Sequence, residues 1–334
     1  MKALINKMLV FAIASITLTM AGSFTASAQA NSQLEEKTIP VGEFSGIDIS
    51  GDFEVTLSKG DCSVRVATDK VLAPYVQVYV RGKVLYISYD SKAVPKDIRQ
   101  LYKGRNASKP VFRASVSIED LSSVSIRDNV SLTCVGDHQT RLNADIELAD
   151  KAQLKNLNIN ANSVNLSMKK NTQAAVNIVA SSKAEVKAEG NASLKAGIEA
   201  VDVVSSAIGS SEVSVNASGT NATVSGAGSS KTSVAFNGEK AVVTLTGAAS
   251  MELSGKGNSL SVRGEKAASL DAGAFDTKEA EINLNGPVKV NVTVSDTLDA
   301  NLAGGSTLQY SGTPVFKIGK IVKSTLAPFG SLSR

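Results

Sequence analysis

Between Leu142 and Tyr310 apolar and polar residues alternate in short runs, and the runs recur at a near-constant interval. Small residues punctuate them at Ser193, Ser211, Ser230, Ser250, Ser269, Pro287 and Ser306, with successive gaps of 18, 19, 20, 19, 18 and 19 residues. Val213-Ser214-Val215 corresponds to Ser233-Val234-Ala235-Phe236, then to Met251-Glu252-Leu253, Leu270-Asp271-Ala272 and Val288-Lys289-Val290. A second apolar set, Val224, Val243, Val262 and Ile282, follows at the same period. Turn residues such as Ser218-Gly219 and Asn237-Gly238 separate the two sets. Period-two alternation points one side chain inward and the next outward, as in a strand with one buried face. A repeat of two short strands cannot bury that face alone, but it can when stacked on its neighbours. Helical repeats are longer and carry a helical periodicity that is absent here. The pattern therefore predicts an all-β chain: a right-handed parallel β-helix, a solenoid of about 19 residues per turn. It runs for about nine turns from Leu142 to Tyr310.

Residues 39 to 135 alternate too, in longer strands with larger side chains. Five of the six tyrosines fall between Tyr75 and Tyr102, and their rings are expected in the core of a broader N-terminal β layer. Such a layer would cap the first rung, whose strand edge and core are otherwise exposed. Residues 93–110 interrupt the alternation. Pro95 near the start, Gly104 at the end, and Ile98, Leu101 and Tyr102 at helical spacing predict a short helical insertion. The organisation expected is a signal peptide over 1–30, an N-terminal β region over 31–136, the array over 137–314 and a C-terminal tail over 315–334.

The leader follows from a basic start (Lys2, Lys7), an apolar run from Met8 to Ala21 and the small-x-small site Ala28-Gln29-Ala30. That run is shorter than the ~20 residues a membrane span needs, and no later segment supplies one. The chain is thus expected to be exported, to the periplasm, the outer-membrane surface or the medium. Export permits a disulfide between Cys62 and Cys134. Each also sits in an alternating apolar run and reads equally well as a small buried hydrophobe.

Composition narrows the function. With 43% hydrophobic residues the 334-residue chain can build a core, and it is not of disordered type. A net charge of +4 is too balanced for a dedicated nucleic-acid binder. Aromatics are 4% with no Trp, so a sugar-stacking platform along the array has little to draw on. One His and two Cys leave no His/Cys metal set, and calcium repeats are absent. His138, in Gly136-Asp137-His138-Gln139, is expected on an exposed turn without a nucleophile beside it. The acid pairs Asp48/Asp52 and Asp145/Glu147 share strand faces, as glycoside hydrolysis would require, but such pairs are ordinary on a solvated face. No catalytic, cofactor-binding or metal-binding residue is therefore assigned, and no cofactor is expected. Lys92, Lys96, Arg99, Lys103, Arg105 and Lys109 form the densest basic patch. It reads as a solvated loop before it reads as an anion-binding surface. Asp296-Thr297-Leu298 matches a short O-glycosylation pattern.

Taken together, Phe44-Ser45-Gly46-Ile47, Ser50-Gly51-Asp52-Phe53-Glu54-Val55-Thr56-Leu57, Leu72-Ala73-Pro74-Tyr75-Val76, Gly82-Lys83-Val84-Leu85-Tyr86-Ile87, Ile118 to Val124 and the closing Gly304 to Pro314 resemble the head GIN domain family. That family carries an auto-transporter adhesin label and is common in Bacteroidota. The resemblance implies a right-handed parallel β-helix in the cell envelope and carries over no catalytic residue. An auto-transporter barrel needs many strands of ~9–11 residues. The twenty residues after Pro314, with Lys317, Lys320 and Lys323, do not supply them. The expected function is non-enzymatic binding of a macromolecule, glycan or protein, by a long polar face. A periplasmic scaffold or stress-associated factor and a carbohydrate-active enzyme are the alternatives. Terminal rungs able to pair between chains permit a homo-oligomer.

Overall fold

The structure is a computed structural model that describes residues 34–105 and 107–331. The expected leader lies outside the described residues. The described residues form one compact unit: a β-solenoid of about 11 turns with ~19 residues per turn.

Each turn contributes a strand to two faces. On the first face, Leu132, Leu154, Ala174, Leu194, Val213, Thr232, Met251, Leu270, Val290, Leu308 and Leu326 lie in register from one turn to the next. On the second, Ile47, Val124, Ile146, Leu166, Val186, Ser205, Val224, Val243, Val262, Ile282 and Ala300 do the same. These columns fill the space between the faces. Each buried Val, Leu or Ile contributes about 1.5–3 kcal/mol by removing its side chain from water. The faces converge where Ala161, Ala180 and Ala200 stack. Their small side chains let single strands such as Gln153–Lys170 and Gln173–Gly190 run around both faces. Within the array, the buried rings Phe236 and Phe275 sit beside small neighbours. Phe236 lies between Ala217 and Gly255, and Gly255 pairs with Phe275.

The corner closing each turn takes a left-handed backbone. Asp128, Asp150, Lys170, Gly190, Gly209, Gly228, Gly247 and Lys266 all have φ between 64° and 84° there. From Gly209 to Gly247, glycine stacks on glycine, and a Cβ at any of the three would press on the backbone of the preceding corner.

The punctuating serines separate into two columns. Ser211, Ser230 and Ser306 point inward and are buried, whereas Ser193, Ser250 and Ser269 point outward. Ser193 pairs with Glu212, one residue beyond Ser211. In the same way Leu270 pairs with Val290, not Val288. The spacing of 18 to 20 residues merges positions that the pleat keeps on opposite sides.

The parallel ladder extends past both expected limits. Gly46–Gly51 and Glu54–Lys59 already pair in parallel with Ser123–Asp128 and Ser131–Val135. At the other end, Val315–Val322 and Thr325–Pro328 add a further rung, so the segment expected as a tail continues the array. The N-terminal end is closed by antiparallel strands: Leu34–Ile39 on Ser63–Asp69, which pairs with Phe112–Ile118, and the hairpin of Val76–Arg81 with Val84–Tyr89. A helix, Lys96–Leu101, sits in the insertion. Leu72, Val94 and Phe112 are buried in this cap. The tyrosines are not. Tyr75, Tyr79, Tyr86, Tyr89 and Tyr102 are half-buried or exposed, because a phenol hydroxyl is best left within reach of water. The core beneath them combines aliphatic side chains with Phe53 and Phe112, whose ring centroids are 5.3 Å apart.

Candidate functional site

The two outer faces differ in chemistry. Residues facing outward on the second face pair their charges with one another. Lys169 reaches Glu147 at 3.3 Å, Lys183 reaches Glu185 at 2.7 Å, and Arg263 reaches Glu265 at 3.1 Å. Such exposed pairs contribute about 0–1 kcal/mol each. They leave a surface whose charge is locally balanced.

Between Asn156 and Ala235 the first face carries amides, hydroxyls and small side chains alongside Lys155, Lys195, Glu212 and Lys231. Asn158 Nδ2 donates to Asp137 Oδ1 at 3.0 Å, and Asn177 Nδ2 donates to Asn158 Oδ1 at 2.9 Å. The next rungs place Gly197 and then Asn216 in that column. Beside it run Ala175, Lys195, Ser214 and Ser233. The short side chains make a trough of about 510 Å³ between Asn156 and Ala235, bordered by Asn177 and Asn216. It runs alongside a second hollow of about 410 Å³ reached by Lys155, Lys195 and Glu212. The trough offers amide donors and acceptors, hydroxyls and a lysine without a deep apolar pocket. That composition suits a polar, extended ligand held by many hydrogen bonds. A further hollow of about 550 Å³ lies at the edge of this face, where Lys256, Asp276 and Lys278 surround the backbone of Gly238, Gly257 and Gly312.

The residues singled out in the sequence are not brought together. Asp48 Oδ1 accepts from an Arg127 guanidinium nitrogen at 2.7 Å, and Asp52 Oδ1 accepts from Asn129 at 2.6 Å. Asp145 accepts from Asn165, and Glu147 pairs with Lys169. Each carboxylate is thus tied to an adjacent rung. His138 is a correction to the sequence reading. It lies in the strand Asp137–Gln139, pairs with Ile159 and is 2% exposed. A β-bridge beyond the turn at Gly136 rotates the ring inward. Neither ring nitrogen has a hydrogen-bond partner among the described residues. Burial, with help from the nearby Lys59 charge, holds its pKa below the usual imidazole value, and Asp137 opposes this. Cys62 and Cys134 are free thiols. Burial alone pushes the Cys134 thiol up to about 12, while Cys62 Sγ donates to the Phe44 carbonyl at 3.4 Å.

The six basic residues of the insertion are all exposed, and none makes an ion pair among the described residues. Near them on the cap, Tyr79 and Tyr86 stack with ring centroids 5.0 Å apart and planes 13° from parallel. In the Asp296-Thr297-Leu298 motif, Asp296 is exposed, Thr297 half-buried and Leu298 in the core. The trough escaped the sequence reading because its lining comes from five successive turns. The only trace was the outward series Ala175, Lys195, Ser214 and Ser233, three of them small, at gaps of 20, 19 and 19 residues.

The architecture is thus a parallel β-solenoid capped at its N-terminal end. The chain belongs to the family described as "Putative auto-transporter adhesin, head GIN domain", whose model matches residues 43–231 and 198–314. Solved structures similar to it include one described as a "putative adhesin" from Parabacteroides distasonis, at 17% identity over 89% of this chain and 97% of that one, with a TM-score of 0.35. One described as a "Putative lipid binding protein" from the same organism gives 17% identity over the same shares, with a TM-score of 0.30. One described as a "putative adhesin" from Parabacteroides merdae gives 16% identity, again over 89% and 97%, with a TM-score of 0.30. No curated protein matches the chain.

Proposed function

We propose that this protein is an exported, non-enzymatic adhesin of the cell envelope that holds a glycan or protein along its polar first face. The trough between Asn156 and Ala235 carries the reading. It presents hydrogen-bonding groups along several turns of a rigid rod. Weak contacts repeated along such a rod add up to useful avidity when the ligand is itself repetitive. The carboxylates that an enzyme would need are each bound to a neighbouring rung, which supports a binding role over a catalytic one. The family description points the same way.

The test combines location with binding. Protease shaving of intact native cells, with a periplasmic marker as control, should digest the protein and spare the marker. The purified protein should then bind members of a glycan and matrix-protein panel. Binding should be lost in a Ser214→Trp/Ser233→Trp variant that keeps its β-type circular dichroism. If the protein survives shaving until the outer membrane is opened, the surface adhesin reading fails and a periplasmic scaffold takes its place. If binding survives the double variant, the trough is not the site.

A further inference from the structure

The two ends of the solenoid are finished differently. At the N-terminal end antiparallel strands and the insertion cover the core, and Leu72, Val94 and Phe112 are buried there. At the other end the eight-residue strand Val315–Val322 is exposed throughout. Its sole ladder partner among the described residues is the strand Lys289–Ala303. The opposite edge therefore presents unpaired N–H and C=O groups.

The register shows which of its side chains matter. Phe316, Ile318 and Ile321 pair with Leu298, Ala300 and Leu302, so they continue inward core columns. They remain 40%, 47% and 41% exposed because no further rung among the described residues covers them. Lys317 and Lys320 pair with Asp299 and Asn301 and continue outward columns. Edge lysines are a common guard against edge-to-edge aggregation. A guard alone, however, would not leave three large apolar side chains in the inward positions.

We propose that this edge is a docking site for an extended, acidic strand of another protein, which adds as the next rung. The inward positions of the incoming strand would be apolar and would cover Phe316, Ile318 and Ile321. Its outward positions would carry Asp or Glu beside Lys317 and Lys320. Main-chain hydrogen bonds supply affinity in this mode, and alternate side chains supply specificity. Charge selects the occupant. A second copy of the same edge brings lysine against lysine, and like charges directly opposed are destabilising. An acidic strand instead extends the alternation already begun by Asp299 and Lys317. The site is distinct from the trough and independent of it.

The probes are two soluble, dye-labelled synthetic peptides, one alternating valine with glutamate and the other valine with lysine. Fluorescence anisotropy with the purified chain at low salt should show at least tenfold tighter binding of the glutamate peptide. The preference should shrink as salt rises. A Lys317→Glu/Lys320→Glu variant should reverse it, whereas Lys231→Glu on the first face should leave it intact. An Ile318→Ser variant should weaken both peptides while preserving the circular dichroism spectrum. Equal binding of the two peptides, or none, overturns the proposal. So does a concentration-dependent dimer in sedimentation velocity that the glutamate peptide fails to dissociate, because a second copy is then the occupant.

Discussion

Gly247 sits directly on Gly228: a methyl group at Gly247 would lie 2.8 Å from the Gly228 carbonyl oxygen. The same contact recurs one turn earlier, where a methyl at Gly228 would lie 2.9 Å from the Gly209 carbonyl oxygen. Gly247 also has φ of 84°, a region that costs an L-residue about 1–2 kcal/mol. Gly247→Ala therefore combines torsional strain with a backbone contact that no side-chain rotation relieves. The expected loss is about 2–4 kcal/mol, read as a lower urea midpoint at unchanged slope. An unchanged midpoint would mean that the corner opens without cost.

Thr232 occupies the inward column between Val213 and Met251, and its hydroxyl has no partner among the described residues. A buried hydroxyl left unpaired costs about 1–3 kcal/mol. Thr232→Val preserves the shape and removes the polar atom. It should raise the denaturation midpoint by the equivalent of about 1 kcal/mol or more. A decrease would show that the hydroxyl is satisfied in solution, for instance by a buried water.

His138 should make stability fall as the solution is acidified through the range in which imidazole takes a proton. Its folded pKa is held below the ordinary value, chiefly by burial and next by Lys59. Below about pH 6.5, the ordinary imidazole pKa, the unfolded chain therefore binds more protons than the folded one. Stability is complete above that pH and falls below it by at most about 1.4 kcal/mol per unit. The fall ends at the folded pKa. His138→Leu should flatten urea midpoints measured between pH 7.5 and 5.5. If both proteins show the same slope, the ring is open to solvent.

Thiol labelling should separate the two cysteines. Cys134 is buried and its pKa is pushed up to about 12, so almost none is thiolate at pH 8, and the thiolate is the reactive form. Cys62 is half-buried. Iodoacetamide at pH 8 should modify Cys62 in the native protein, and Cys134 only after denaturation. Mass spectrometry of the digested protein distinguishes the two. A Cys62–Cys134 disulfide in protein isolated from the native host would instead leave both unlabelled until reduction.

The solenoid was legible in the sequence because strand alternation is a local property and the stacking interval repeats. Val213-Ser214-Val215 and its successors state both. The resemblance to the head GIN domain family rests on other residues, chiefly the N-terminal segments from Phe44 to Val124 and the closing Gly304 to Pro314. Tertiary structure decided what depends on rung-to-rung register. A shift of one residue turns a strand's side chains to the other face, so only the fold could put Ser211 inside and Ser193 outside. Only the fold could turn His138 inward, or give Asp48 to Arg127 and Asp52 to Asn129. The trough and the uncovered edge at Val315–Val322 belong to the same class. They arise from which turns lie side by side and where the stack stops, through contacts between residues 18 to 20 apart or more. Local alternation determines that a rung forms and which side of it is apolar; only stacking determines what each side chain meets.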